Sequence, residues 1–145
     1  MKRRVAVTGL GVITSLGRDI DTFWSNLIAG KSGISRIESF DVSDYPTQIA
    51  GEIKDFDPAD HFDKKEARRM DRYTQFAVAA CYQAMEDSGL KIGENAIPER
   101  VGVYVGSGIG GVETWEEQHK ILLERGPKRV SPFLIPMMIA NMATG

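Results

Sequence analysis

The stretch VGVYVGSGIGG, from Val101 to Gly111, places a glycine pattern directly after an apolar run. The interpretation of this pattern decides which fold the sequence predicts. Gly106, Gly108 and Gly111 fit the spacing G-x-G-x-x-G. In dinucleotide-binding folds such a loop turns a strand into a helix whose amino terminus holds a pyrophosphate. Glycines also gather where a backbone must approach another segment closely. The surrounding sequence therefore has to separate these two interpretations.

The sequence on both sides of this loop disfavours a nucleotide site. A dinucleotide-binding unit continues with a second strand that ends in an acidic residue about 20 residues on. Here the helical segment Val112–Glu124 comes first, and the segment after it, RGPKRVSPFLIP, has no strand pattern. The phosphate-binding pattern G-x-x-x-x-G-K-[ST] does not occur. We therefore expect the glycines to serve close packing, and Ile109, an apolar residue among them, would suit the wall of a pocket.

The composition indicates one ordinary globular domain in a reducing compartment. Of the 145 residues 42% are hydrophobic and 26% charged, and the net charge of -2 gives no general attraction to nucleic acid or anionic lipid. The single cysteine excludes an internal disulfide. The apolar run after MKRR is broken by threonines and glycines, unlike a signal peptide, and no stretch has the length of a membrane span. We expect a cytoplasmic protein that binds neither membranes nor nucleic acid.

Hydrophobic periodicity and the positions of glycine and proline predict an α/β alternation with too few strands for a complete sheet. Strands are predicted at Arg4–Thr8, Thr47–Ile53 and Arg100–Val105. Four helices are predicted. The first follows an N-cap at Asp21 and ends at Gly30, and the second is capped at Asp63 and ends just before Gly89. The third spans Val112–Glu124 and ends at Gly126, and the fourth has Pro136 as its first helical residue.

Four separated blocks, in order along the whole chain, resemble one enzyme family. They are RRVAVTGLGVITSLG (Arg3–Gly17), KSGIS (Lys31–Ser35), GVYVGSGIGG (Gly102–Gly111) and GPKRVSPFLIPMMIANMATG (Gly126–Gly145). They are similar to the β-ketoacyl-[acyl-carrier-protein] synthases, and most of all to the synthase II group of bacterial fatty-acid elongation. Four blocks in the same order are far more specific than a single glycine motif.

The resemblance implies a thiolase-like layered α/β fold, of which residues 1–145 form part of the N-terminal half as an incomplete domain. The family reaction is a decarboxylative Claisen condensation. A cysteine thiolate accepts an acyl group, and two histidines then help malonyl-carrier lose CO₂ and stabilise the oxyanion. The resemblance also implies a homodimer that acts on acyl- and malonyl-loaded acyl carrier protein without a cofactor.

No residue of this chain suits the catalytic roles, so the chain alone is predicted to be inactive. Cys81 lies within the long predicted helix on its apolar stripe, which favours a buried structural cysteine over a nucleophile. His61 and His119 stand outside any stretch that resembles the family's histidine motifs. Two separate histidines and a distant cysteine also lack the spacing of metal ligands, so no metal site is expected.

The resemblance assigns an acyl-chain pocket to two segments. Ile109 matches the loop position that gates the pocket in the family, and Phe133–Met138 matches the segment that reaches across the dimer interface. The expected pocket residues are Ile109, Phe133, Leu134 and Met138. Leu134 stands where relatives often carry the second of two aromatics, which would change the end of the pocket. Ordinary core or dimer packing is the alternative role for these residues.

A basic stripe predicts a binding surface for an anionic partner. Lys65, Arg68, Arg69 and Arg72 follow helical spacing on the first turns of the long predicted helix, where the helix dipole disfavours cations. Lys128 and Arg129 match a second basic pair near the pocket entrance in the family. We expect Lys65, Arg68, Arg69, Lys128 and Arg129 to dock the acidic acyl carrier protein. A merely solvated charged face is the alternative.

Four other functions stay open at this point. The chain could belong to a chain-length-factor-like partner, which shares the fold without the nucleophile, or to a polyketide ketosynthase. A dinucleotide-dependent oxidoreductase is disfavoured by the absence of a second strand after the glycine loop. A non-catalytic interaction module is the fourth possibility.

Overall fold

The computed structural model of the chain describes residues 3–145. These residues form two compact units, one made of the chain up to Phe56 together with Ala80–Leu90, the other of Asp57–Ala79 together with Lys91–Gly145. Helix α3 (Arg72–Ser88) contributes its first half to the second unit and its second half to the first. The described part holds α-helices and one small sheet, and none of its helices is long and apolar enough to cross a membrane.

The first unit contains helix α1 (Ile20–Ile28) and an antiparallel pair of strands, β1 (Ser35–Arg36) and β2 (Ile49–Ala50). The predicted strand Thr47–Ile53 is therefore confirmed only at its centre.

Helix α1 begins two residues earlier than predicted, because Asp19 and not Asp21 is its N-cap. The Asp19 carboxylate accepts a hydrogen bond from the amide of Thr22 at 2.7 Å, and this bond lowers the pKa of Asp19. Asp21 lies within the first turn, where a negative charge also suits the helix dipole. Gly30, with φ of 66°, follows the helix end as predicted.

The second half of α3 packs against the glycine-rich segment near the amino terminus. A Cβ on Gly9 would lie 2.6 Å from the Ser88 amide, and one on Gly11 would lie 2.8 Å from the Ala84 amide. Two side chains of α3 hold this segment by its amides. Leu10 N donates to Asp87 Oδ2 at 2.8 Å, and Val12 N donates to Gln83 Oε1 at 3.0 Å.

The long helix predicted from Asp63 is wrong in one respect, because the chain forms two helices there. Asp63 caps α2 (Lys64–Ala67) by accepting from the amides of Lys65 and Glu66, at 2.7 and 2.8 Å. The helical conformation is then interrupted until α3 begins at Arg72. The buried Gln75 side chain donates to the carbonyl oxygens of Ala67 and Met70, at 3.0 and 3.2 Å. Those carbonyl groups therefore have partners without a continuous helix.

The carboxyl-terminal helices of the second unit are α4 (Val112–Arg125) and α5 (Leu134–Met138). Helix α4 was predicted correctly, and Gly126 with φ of 81° ends it. Pro136 is the third residue of α5 and not its first, although it still lies in the first turn, where an amide has no partner within the helix.

Two predicted strands do not form in the described residues. Arg4–Thr8 and Arg100–Val105 pair with no other strand, and Val5 and Tyr104 are 93% and 98% exposed. The buried apolar side chains of the described part are Val42, Phe56, Phe62, Ala79 and Ala143.

Candidate functional site

The glycine loop lies against the end of α5. A Cβ on Gly110 or Gly111 would collide with the carbonyl oxygens of Met138 or Met137, respectively, and Gly110 has φ of 96°. The Gly111 amide donates to Met138 O at 2.8 Å. Close packing therefore explains these two glycines, as expected. It does not explain Gly106 and Gly108, because a Cβ on either would meet no atom within 4 Å in the described part.

A buried carboxylate caps α4 from another element. Asp71 is 5% exposed, and its Oδ2 accepts from the amide of Thr114, the third residue of α4, at 2.9 Å. Its Oδ1 accepts from the amide of Tyr73 at 3.2 Å, close to the start of α3. The residue before α4 is Gly111, which has no side chain to serve as a cap. Asp71 supplies that cap.

This carboxylate also bears on the nucleotide alternative. A dinucleotide-binding helix leaves its first amides free for a pyrophosphate. Here the Thr114 amide already binds the Asp71 carboxylate, which would repel a phosphate. The geometry therefore agrees with the sequence context in disfavouring a nucleotide at this loop.

An apolar pocket of about 560 Å³ lies between the glycine loop, α4 and the end of α5. It brings together two of the four predicted pocket residues, Ile109 and Met138. Ile109 is 80% exposed and so is free to contact a ligand. The Tyr73 hydroxyl donates to the carbonyl of Ile139 at 2.7 Å and holds the α5 side of the pocket. The other lining residues are Gly111, Val112, Trp115, Ile139 and Ala140.

Phe133 and Leu134 do not line this apolar pocket. Phe133 lines a different pocket, where the guanidinium of Arg69 packs over its ring, 5.0 Å from the ring centroid. Leu134 is the first residue of α5. Within the described residues Ile109 and Met138 line this pocket, and the assignment of Phe133 and Leu134 to an acyl pocket reached across a dimer interface stays a prediction.

A basic pocket of about 420 Å³ surrounds Phe133. The basic pocket is lined by Lys64, Lys65, Arg68, Arg69 and Phe133. Three of the predicted docking residues thus meet, together with Lys64, which the sequence did not single out. The aromatic ring among four cations was not predicted as part of this surface.

The basic stripe does not lie on the first turns of one long helix, so the prediction that the helix dipole disfavours it is wrong. Helix α2 ends at Ala67, so Arg68 is its C-cap and Arg69 follows it. At that end cations are favoured, not disfavoured, by the helix dipole. Arg72 belongs to α3 and packs over the ring of Phe76 at 4.8 Å.

Lys128 and Arg129 lie in the 3₁₀ turn Pro127–Arg129 and are exposed, outside the basic pocket. The Ser131 amide donates to Gln118 Oε1 at 2.7 Å and ties the following segment to α4. Within residues 3–145, none of the five predicted docking residues forms an ion pair with a carboxylate within 4.0 Å. Their charges are available to a partner.

The cysteine and the two histidines are not among the residues that line either pocket. Cys81 is exposed on α3, so the expectation of a buried cysteine is wrong; the buried side of α3 carries Thr74, Gln75 and Ala79. The His119 ring stacks on Trp115 with centroids 6.3 Å apart, and His61 ends the turn Pro58–Asp60. In the described part no three His, Cys, Asp or Glu side chains are grouped to hold a metal ion.

Solved structures of ketosynthases share this fold. A type II PKS acyl-carrier protein in complex with its ketosynthase bound to a hexaketide (AntDE:AntF) matches with a TM-score of 0.80 and 26% identity, over 99% of this chain and 37% of that chain. The ishigamide ketosynthase/chain length factor matches with a TM-score of 0.78 and 30% identity, over 99% of this chain and 36% of that chain. The predicted thiolase-like α/β fold, present in part, is confirmed.

The sequence comparisons agree with the fold. The model of the family described as beta-ketoacyl synthase, N-terminal domain, matches residues 2–145, and the chain belongs to this family. The 3-oxoacyl-[acyl-carrier-protein] synthase 2 of Staphylococcus aureus (strain COL) is 50% identical over 143 residues, which are 99% of this chain and 34% of that protein. The protein of the same name from Synechocystis sp. (strain ATCC 27184 / PCC 6803 / Kazusa) is 52% identical over 145 residues, again 99% and 34%. The chain spans about a third of the length of these curated relatives.

Proposed function

We propose that the chain is the N-terminal part of a 3-oxoacyl-[acyl-carrier-protein] synthase of the second type. The whole enzyme would condense malonyl-carrier protein with an acyl thioester, lose CO₂ and lengthen the acyl chain by two carbons. The observation that carries this proposal is identity of about one half to proteins of that name along nearly the whole chain. In this proposal residues 1–145 are an incomplete domain, which the full exposure of apolar side chains such as Val5 and Tyr104 supports.

The part assigned to this chain is binding and not bond chemistry. Cys81 is exposed on α3 and is not among the residues that line the apolar pocket. A nucleophile has to stand at the end of the pocket that holds its acyl group. We therefore place the nucleophile outside these 145 residues.

The apolar pocket is proposed to hold the acyl chain of the substrate. Its lining is almost wholly apolar side chains and backbone, and its volume of about 560 Å³ is within the range of small-molecule sites. Ile109 and Met138 both line it, one from the glycine loop and one from the end of α5, so they would set the width available to the chain.

The basic pocket is proposed to dock the acyl carrier protein. Four cations surround one ring, and the three predicted here find no carboxylate partner within residues 3–145. Such a surface suits an acidic protein, because complementary charges speed and orient the encounter. One of the matched structures is a ketosynthase in complex with its acyl-carrier protein. Lys128 and Arg129 would extend the same surface. A homodimer and a cytoplasmic location stay predictions.

The experiment compares two acyl donors in a full-length synthase that carries this segment. The change is Lys65→Glu together with Arg69→Glu. KM for acyl-carrier protein should rise about tenfold or more, while KM for the acyl-CoA thioester, which lacks the protein surface, should change less than about twofold. The difference should shrink at 1 M salt, where the Debye length is about 3 Å.

The matched control reverses two cations elsewhere in the chain. Lys120 and Arg125 lie on α4 outside the basic pocket, so Lys120→Glu with Arg125→Glu changes the net charge equally. If the control raises KM for the carrier as much, the effect is general electrostatics and the docking assignment is wrong. If Lys65→Glu with Arg69→Glu weakens both donors equally, the basic pocket supports the fold or the acyl pocket instead.

A further inference from the structure

One buried carboxylate belongs to neither proposed binding surface. Asp71 lines neither the apolar pocket nor the basic pocket, yet it is 5% exposed and carries an ionisable group. A buried polar group costs free energy unless it is hydrogen-bonded. Its bonds to the amides of Tyr73 and Thr114 account for its burial.

The contacts of Asp71 lead directly to the walls of the apolar pocket. Its Oδ2 holds Thr114, and a Cβ on Gly111 would lie only 2.8 Å from the same oxygen, so the loop passes close over the carboxylate. Gly111 in turn donates its amide to Met138 O at 2.8 Å. The loop that carries Ile109 is thereby fixed between Asp71 on one side and the end of α5 on the other.

Tyr73 makes the second link from the same turn. Its amide donates to Asp71 Oδ1, and its hydroxyl reaches Ile139 O at 2.7 Å. Ile139 lines the apolar pocket beside Met138. Two neighbouring residues at the start of α3 therefore hold both walls of the pocket by hydrogen bonds, although neither lines it.

We propose that Asp71 and Tyr73 are positioning residues that set the width of the acyl pocket and with it the chain length the enzyme accepts. This inference rests on the proposed function for the identity of the ligand. Side chains that line a pocket select a ligand only if they are held in place, and here the holding groups are one carboxylate and one phenol. Loosening either link lets Ile109 shift relative to Met138.

The choice of a carboxylate has a chemical reason. An ionised carboxylate accepts from two amides at once, one on each oxygen. An asparagine has a single acceptor oxygen, so one of the two amides would face an N–H₂ group and lose its partner. Asp71→Asn thus removes one hydrogen bond at nearly constant volume, and Tyr73→Phe removes the hydroxyl alone.

The test measures kcat and KM for a short and a long acyl-carrier donor in a full-length synthase that carries this segment. For Asp71→Asn and Tyr73→Phe, KM for the long donor should rise about tenfold, the scale of one lost buried hydrogen bond. The short donor should change less than about twofold, with kcat little affected for both. Glu113→Gln is the control, because it removes an exposed carboxylate from the first turn of the same helix α4.

A second measurement does not depend on activity. Amide hydrogen exchange at Gly111 and Thr114 should be about tenfold faster in Asp71→Asn than in the wild type or in Glu113→Gln. Titration with a fluorescent long-chain polyene fatty acid should show weaker binding in both variants. If Asp71→Asn does not fold, Tyr73→Phe alone decides.

The outcomes separate the inference from the proposed function. Equal losses for both donors would mean a structural role only and would overturn the inference, as would faster exchange with an unchanged chain-length profile. If the wild type extends neither donor, the proposed condensing activity is wrong. The inference is then decided by the fatty-acid titration, in which equal binding by variant and wild type would overturn it.

Discussion

Two glycines of the glycine loop look alike in the sequence, but replacing each with alanine should affect stability differently. Gly108 and Gly111 belong to the same G-x-G-x-x-G pattern. A Cβ on Gly111 would lie 2.8 Å from Asp71 Oδ2 and even closer to Met137 O, whereas a Cβ on Gly108 would meet nothing within 4 Å. We expect Gly111→Ala to destabilise the second unit and Gly108→Ala to leave it intact.

The size of the effect follows from these distances. Gly111 has φ of -79°, which alanine adopts freely, so the cost is steric only. Ordinary contacts need about 3.5 Å, so the loop or the end of α5 must move by about 1 Å. Overpacking of this kind costs about 1–3 kcal/mol. At Gly108 alanine should instead stabilise by about 0.4–1 kcal/mol, since it restricts the unfolded chain.

The assay is urea unfolding of the 145-residue chain followed by the fluorescence of Trp115, which lies on α4 four residues after Gly111. Trp24→Phe removes the other tryptophan of the chain. With a slope near 2 kcal/mol per M, Gly111→Ala should lower the midpoint by about 1 M. Equal midpoints for the two alanine variants would refute the packing of Gly111 against Met137 and Asp71.

Two further predictions concern the pocket and helix α1. In a full-length synthase, Ile109→Phe should lower kcat/KM about tenfold for long primers and less than about twofold for short ones, because the added ring fills the pocket; Ile109→Val is the control, and equal losses would remove Ile109 from the pocket wall. The Asp19 carboxyl should titrate by NMR below its usual pKa of 3.8, since the Thr22 amide stabilises the charged form. A group with a lowered pKa stabilises the fold above its unfolded-state pKa and loses that contribution as the pH falls through the folded-state pKa. A midpoint at or above 3.8 would contradict the cap.

The parts of the fold that the sequence predicts well are those fixed by neighbouring residues. Glycines with positive φ follow α1, α3 and α4 at Gly30, Gly89 and Gly126, where the sequence placed the helix ends. Asp63 was identified as a cap because its amide partners are two and three residues away. Asp21 and Asp19 are equally suited to capping by local rules, and the wrong one was chosen.

The parts that could not be predicted depend on contacts between distant residues. The break between α2 and α3 is made possible by Gln75, whose side chain reaches back to Ala67 and Met70. A strand needs a partner strand, which the apolar run Arg100–Val105 does not specify by itself. For this reason β-branched runs were overpredicted as strands.

In the candidate site, too, local sequence patterns were predictable and contacts between distant residues were not. The resemblance to the synthases pointed to Ile109 and Met138, because those positions lie in recognisable blocks, and helical spacing pointed to Lys65, Arg68 and Arg69. Neither could show that Arg69 takes Phe133 into the basic pocket. Asp71 gave no local indication, because the sequence placed it within the long predicted helix, and nothing in the sequence linked it to Thr114, 43 residues away.

Mass spectrometry of the acylated protein tests most directly the proposal that this chain contributes binding and that the nucleophile lies outside its 145 residues. A full-length synthase that carries this segment and the 145-residue chain alone are each incubated with acyl-carrier protein and then with malonyl-carrier protein. We predict an acyl adduct on the full-length protein, a 3-oxoacyl product two carbons longer, and neither adduct nor product with the 145-residue chain. An acyl adduct on Cys81 would contradict the assignment of this chain to binding. A full-length protein that takes up no acyl group would contradict the condensing activity itself and favour a partner of the chain-length-factor kind.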